Sequence, residues 1–120
     1  MGGTDASELG ARTKQFALRV IQFVGAFPRT KAADIIGGQL LRTGTSVAAN
    51  YRSARKARSR RDFISKITIV EEEADESQCW LEMVIDSGIN SSESAHDLHR
   101  EATELTAMFT ASGKTAKLNR

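Results

Sequence analysis

One cysteine, one proline and 6% aromatic residues are all that this 120-residue chain contains of the groups that anchor disulfide frameworks, rigid loops and stacking surfaces. The lone Cys79 has no partner for an internal disulfide, so a reducing compartment, the cytoplasm, is expected. The lone Pro28 leaves the rest of the chain without a strong helix breaker. Met1 to Ala11 lacks the apolar core of a signal peptide, and no apolar run is long enough to span a bilayer, so no membrane partner is expected. Charge of one sign is missing too. Seventeen Lys and Arg face 15 Asp and Glu for a net +2, so any polyanion argument must rest on where the charges sit. There is no glycine-rich phosphate loop after a strand, and no Ser/His/Asp or Cys/His set. No catalytic residue, no cofactor and no enzymatic activity are therefore expected.

What remains, 40% hydrophobic and 27% charged residues, is the profile of one globular domain. Its centre is the stretch from Ser59 to Ser87. There Phe63, Ile67, Val70, Ala74, Ser77, Leu81 and Val84 recur at steps of four and three, the stripe of a helix packed in a bundle. Ser59 is a good N-cap and Gly88 the first strong stop. A first helix is expected from Ser7 to Phe27 on Phe16, Val20, Phe23 and Phe27, ended by Pro28. Thr30 then caps a second helix from Lys31 to Lys56, striped by Ile36, Leu40, Thr43, Val47 and Asn50. Gly37, Gly38 and Gly44 each cost this helix about 1 kcal/mol relative to Ala, which points to a close helix backbone there; a loop at Gly37-Gly38 is the alternative. Ser91 or Ser92 caps a fourth helix on Ala95, Leu98, Ala102, Leu105 and Phe109, with Gly113 as its stop. The domain layout is a flexible start over residues 1–6, a bundle over 7–112 and a basic tail over 113–120. Four helices with short connections imply an all-α, up-down-up-down antiparallel four-helix bundle.

Antiparallel packing would bring the start of helix 1, the end of helix 2, the start of helix 3 and the C-terminal tail to one pole. That pole would collect Arg12, Lys14, Arg52, Arg55, Lys56, Arg58, Arg60, Arg61, Lys114, Lys117 and Arg120, against only Asp5, Glu8 and Asp62. Arg60 and Arg61 in a first helical turn oppose the macrodipole at about 0.3–1 kcal/mol each, so helix electrostatics alone do not account for them. Arg52, Arg55, Lys56, Arg58, Arg60 and Arg61 are the candidate nucleic-acid-binding residues. Arg42 falls level with Glu73, within reach of Glu72 and Glu76, as a structural ion pair across the hairpin. Asn50 falls level with Ser65 as a buried polar pin. Apolar residues off the bundle stripes, Ile69, Trp80 and Met83 on helix 3 with Leu18, Ile21 and Val24 on helix 1, imply a second buried face and hence self-association. The one Glu-x-x-His pair, Glu93 with His96, and His99 beyond it, fall short of a di-metal bundle site, so no metal is expected.

The run from Gln39 to Met83 resembles a bacterial family of small four-helix bundles, the 23S rRNA-intervening-sequence proteins. The resemblance is carried by Gln39-Leu40-Leu41-Arg42, Ser46, Asn50, Asp62-Phe63-Ile64-x-Lys66, the acids from Glu72 to Glu76, and Trp80-Leu81-Glu82. It implies a ring-like homopentamer without established enzymatic activity. A related branch, the accessory protein of diversity-generating retroelements, is similar to a basic pentamer that binds nucleic acid. Many members have Ile-Ala-Glu-Gly-like residues after the asparagine, whereas Tyr51-Arg52-Ser53-Ala54 stands here and adds positive charge at the hairpin tip. The reading is a non-enzymatic homo-oligomer whose basic pole binds nucleic acid, RNA or DNA. The alternatives are a scaffold docking an acidic partner protein and, more remotely, a metal-binding bundle enzyme using Glu93 and His96.

Overall fold

A computed structural model describes residues 5–119. Four α-helices follow one another: α1 Ala6–Gly25, α2 Lys31–Arg55, α3 Arg60–Asp86 and α4 Glu93–Leu118. Each begins at a residue whose side chain accepts a hydrogen bond from an otherwise unpaired amide of the first turn. Asp5 accepts from Glu8 N, Thr30 from Ala33 N, Ser59 from Asp62 N and Ser92 from Ala95 N. Residues 1–4 of the expected flexible start lie outside the described residues; Asp5 and Ala6 already cap and open α1.

α1 stops two residues before Phe27 because Pro28 lacks an amide and drives its predecessor out of the helical region. α2 runs without a break through Gly37 and Gly38. After α3, Gly88 takes φ +80°, the left-handed conformation that a helix stop uses. The chain order is also the spatial order around the bundle, and of the four neighbouring pairs α1 and α4 share the smallest interface. The four helices form an antiparallel bundle 48 Å long and 25 × 20 Å across.

The buried residues of each helix follow the expected stripes except towards their ends, where Phe27, Ile36, Asn50 and Phe63 are only half-buried. Ile67, Val70, Ala74, Ser77, Leu81 and Val84 of α3 meet Leu40, Thr43 and Val47 of α2 and Ala95, Leu98, Ala102, Leu105 and Phe109 of α4. Two of the three α2 glycines lie against α1. A Cβ on Gly37 would stand 3.1 Å from Val24 and Phe27, and one on Gly44 3.0 Å from both methyls of Val20. Gly38 faces open space. One polar layer crosses the core, where Ser77 donates to the Thr43 hydroxyl at 2.9 Å. Asn50 is not such a pin: half-buried, it donates to Ser46 O of its own helix.

The C-terminus departs from expectation. α4 does not end at Gly113 but continues five residues to Leu118, and Gly113 is buried. It extends the α4 stripe one step of four beyond Phe109, and its bare face meets Ile67 of α3, with a Cβ position 3.6 Å from Ile67 Cγ2. Helix-to-helix packing here outweighs the roughly 1 kcal/mol that glycine costs in a helix. Described residues 113–119 are therefore part of the bundle rather than a tail.

Candidate nucleic-acid interface

The two ends of α2 and α3 that meet at the Lys56–Ser59 turn carry six of the 17 bases. Arg52 and Arg55 occupy the last turn of α2, where the exposed carbonyls favour cations. Three contacts bring this turn to the chain ends. Arg55 lies across α1 at Gly10, where a Cβ would stand 2.7 Å from Arg55 Nη1. Tyr51 OH donates to Ala6 O at 3.5 Å, and Arg60 Nη1 donates to Asn119 O. The starts of α1 and α3 and the ends of α2 and α4 therefore share one pole. Arg120 lies outside the described residues.

The pole is not uniformly available to a partner. Arg12 turns to α4, where its guanidinium grips Glu101 through Nη2 at 2.5 Å and Nε at 3.0 Å and reaches Glu104 at 3.2 Å. The hydrogen bond that Arg12 donates to Glu101 holds the Arg12 pKa above its ordinary value. Arg60, exposed at the start of α3, also donates to Asn119 O at the carbonyl end of α4. Its charge there lies beside the C-terminal end of the neighbouring helix, which favours a cation. Asp62 accepts from the Arg58 amide at 3.1 Å and from Lys66 Nζ at 3.1 Å. The Arg58 amide is the larger cause, and together the two hold the Asp62 carboxyl below the usual range.

Lys14, Arg52, Arg55, Lys56, Arg58, Arg61, Lys114 and Lys117 are exposed, and among the described residues none has a carboxylate within ion-pair distance. Five of the six arginines and lysines expected to contact nucleic acid are in this group; Arg60 is likewise exposed and without a carboxylate partner, and it also donates to Asn119 O. Lys14 belongs with them through a groove between α1 and α2, about 380 Å³ in volume, that it borders with Arg52 and Arg55. That groove was not legible in the periodicity. The small residues Gly10, Ala48 and Ala49 that open it were its only signal. The two rings near the pole are not stacking surfaces. Tyr51 is buried against Phe109, with ring centroids 5.5 Å apart, and Phe63 is half-buried. Burial raises the Tyr51 pKa above its ordinary value, so the phenol stays neutral.

Away from the pole, Arg42 stands 3.1 Å from Glu76 and 3.6 Å from Glu73. Glu72, expected to share this cluster, points into solvent without an ion pair to it. Arg42 is half-exposed, so the pair contributes at most about 1 kcal/mol. On the same flank of α3, Ile69 and Met83 are 43% and 44% exposed, and Trp80 is half-buried with its indole N–H unpartnered. Glu93 and His96 are exposed in the first turn of α4, and His99 instead pairs with Glu82 at 2.9 Å. Among the described residues no three potential metal ligands gather, and no helix is long and apolar enough to cross a membrane.

Residues 7–111 match the family model described as 23S rRNA-intervening sequence protein. Among solved structures, the chain is similar to a protein of unknown function from the S23 ribosomal protein family of Bacteroides thetaiotaomicron, determined at 1.70 Å resolution. The two are 29% identical and superpose with a TM-score of 0.84 over 91% of this chain and 97% of that one. No curated protein matches.

Proposed function

This chain belongs to the 23S rRNA-intervening sequence protein family, and from that premise we propose that it is a non-enzymatic, cytoplasmic nucleic-acid-binding protein that works as a homo-oligomer. The observation that carries the reading is the gathering of Arg52, Arg55, Lys56, Arg58 and Arg61 at one pole without carboxylate partners. Such a surface neutralises phosphates and releases their counterions, which drives binding with little regard to sequence. Neither nearby ring is open for base stacking, so recognition runs through the backbone and favours structured RNA over an unstacked single strand. The flank of α3 with Ile69, Trp80 and Met83 is the self-association face. Repeating the basic pole in a ring of copies, as the family resemblance implies, multiplies a modest single-site affinity.

Filter binding of structured RNA and duplex DNA across a salt series tests this. Binding is expected to fall with salt at a log–log slope of roughly 0.7–0.9 per phosphate neutralised. Replacing Arg52, Arg55, Arg58 and Arg61 together with Ala should flatten that slope by roughly 3. Arg42→Ala, whose side chain serves Glu76, should leave it unchanged. Absence of binding at low salt, or an unchanged slope in the quadruple variant, sinks the reading. Capture of an acidic protein from nuclease-treated lysate by the same four arginines would replace it with a docking role.

A further inference from the structure

The groove between α1 and α2 differs chemically from the rest of the pole. Its floor is made of small groups, Gly10 and Ala48 among them, so that a ligand can approach the helix backbones. Its hydroxyls are already engaged as donors to the main chain. Thr13, buried, donates to Gly10 O at 2.9 Å, and Tyr51 donates to Ala6 O. The charged groups on its rim are Lys14, Arg52 and Arg55, which have N–H donors to offer and no acceptor. The nearest acids in sequence, Glu8 and Asp5, make no ion pair with them, and Asp5 caps α1 through Glu8 N. The Arg55 guanidinium, though exposed, rests against Gly10, where a residue with a Cβ would press on it.

A site rimmed by three cations, with no carboxylate among its lining residues and about 380 Å³ of space, selects an anion carrying an apolar or neutral body. We propose that this groove binds a phosphomonoester, the 5′-phosphate of a nucleotide. The phosphate lies between Lys14, Arg52 and Arg55, and the sugar lies over Ala48 and Gly10. Three cations suit a dianionic monoester better than the single charge of an internal phosphodiester. The site shares Arg52 and Arg55 with the pole described above and so rests partly on that reading, but Lys14 and Gly10 belong to it alone.

Titration of adenosine 5′-monophosphate into the full chain, followed by amide chemical shifts, is expected to move Gly10, Thr13 and Ala48, with adenosine moving none of them. Lys14→Gln should weaken the nucleotide roughly tenfold, the effect of losing one charge-assisted hydrogen bond. Gly10→Ala, whose methyl displaces the Arg55 guanidinium, should weaken it as well while the signals of α3 and α4 stay in place. Equal shifts with adenosine, shifts confined to the Arg58–Arg61 turn, or unchanged affinity in both variants would overturn the assignment. Two RNAs of one sequence, with and without a 5′-phosphate, distinguish the source. Tighter binding of the phosphorylated strand identifies a strand end as the occupant; equal binding, with the monophosphate still seated, identifies the free nucleotide. RNA binding that persists when the monophosphate does not bind refutes the groove alone. Monophosphate binding without RNA binding refutes the pole reading and keeps the groove.

Discussion

Gly38 and Gly44 lie six residues apart on α2, and the same substitution should have opposite effects at the two positions. At Gly38 an added methyl meets nothing within 4 Å, so Gly38→Ala should stabilise the fold by about 0.5–1 kcal/mol through helix propensity and a less flexible unfolded chain. At Gly44 the methyl would press on Val20 at 3.0 Å, and Val20 is wholly buried with no room to turn aside. Overpacking of this kind costs about 1–3 kcal/mol, which exceeds the gain of roughly 1 kcal/mol in propensity. Gly44→Ala should therefore lower the urea midpoint while Gly38→Ala raises it, with the same m-value in both. A shift of the same sign in both would show that the α1–α2 approach is looser than described. All three α2 glycines looked alike in the sequence. Which of them faces α1 depends on the rotation of α2 about its own axis, and composition does not carry that.

Among the elements, α4 shows how a sound local rule gives way to packing. Glycine after a periodic helix is a stop signal because it adopts the left-handed conformation cheaply. Gly88 does this at φ +80°, and no other described residue has a positive φ. Gly113 instead stays helical because its position on the stripe faces Ile67. Lys117 in the last turn and the Arg60 side chain on Asn119 O then satisfy the carbonyl end. Helical carbon shifts and slowed amide exchange are expected to persist through Lys117. Arg60→Ala should speed exchange in residues 115–118 while leaving the centre of α4 protected. Random-coil shifts from Gly113 onward would refute the extension. The four N-caps and the buried stripes were legible because capping and periodicity are local properties. The contact that holds the end of α4 comes from a residue 59 positions away.

At the scale of the whole molecule, the bundle is 48 Å long, several times the Debye length of about 8 Å at physiological salt. The acids in the middle of α3 and at the start of α4 therefore do little to screen the cationic pole, and a nearly neutral protein can present a strongly charged end. The exposed Ile69 and Met83 belong to the same scale, since a monomer of 13.1 kDa gains nothing from leaving them in water. Ile69→Glu with Met83→Glu should lower the solution mass by sedimentation toward that of one chain, with the helical circular dichroism retained. An unchanged mass would count against self-association through this face.

Local physics was enough to determine four helices, their starting caps, the stripes that form the core and the antiparallel order that brings the bases to one end. A 3.6-residue period and a capping side chain act within a turn or two of helix, and both can be read from neighbouring residues. Only the tertiary structure decided which of those bases have carboxylate or carbonyl partners. Arg12 meets Glu101 across 89 residues, Arg60 meets the end of α4, and Lys14 joins Arg52 and Arg55 around a groove. Those pairings follow from how far one helix slides and turns against the next. That register is set by close methyl-to-backbone approaches such as Val20 on Gly44 and Val24 on Gly37, which no single helix contains.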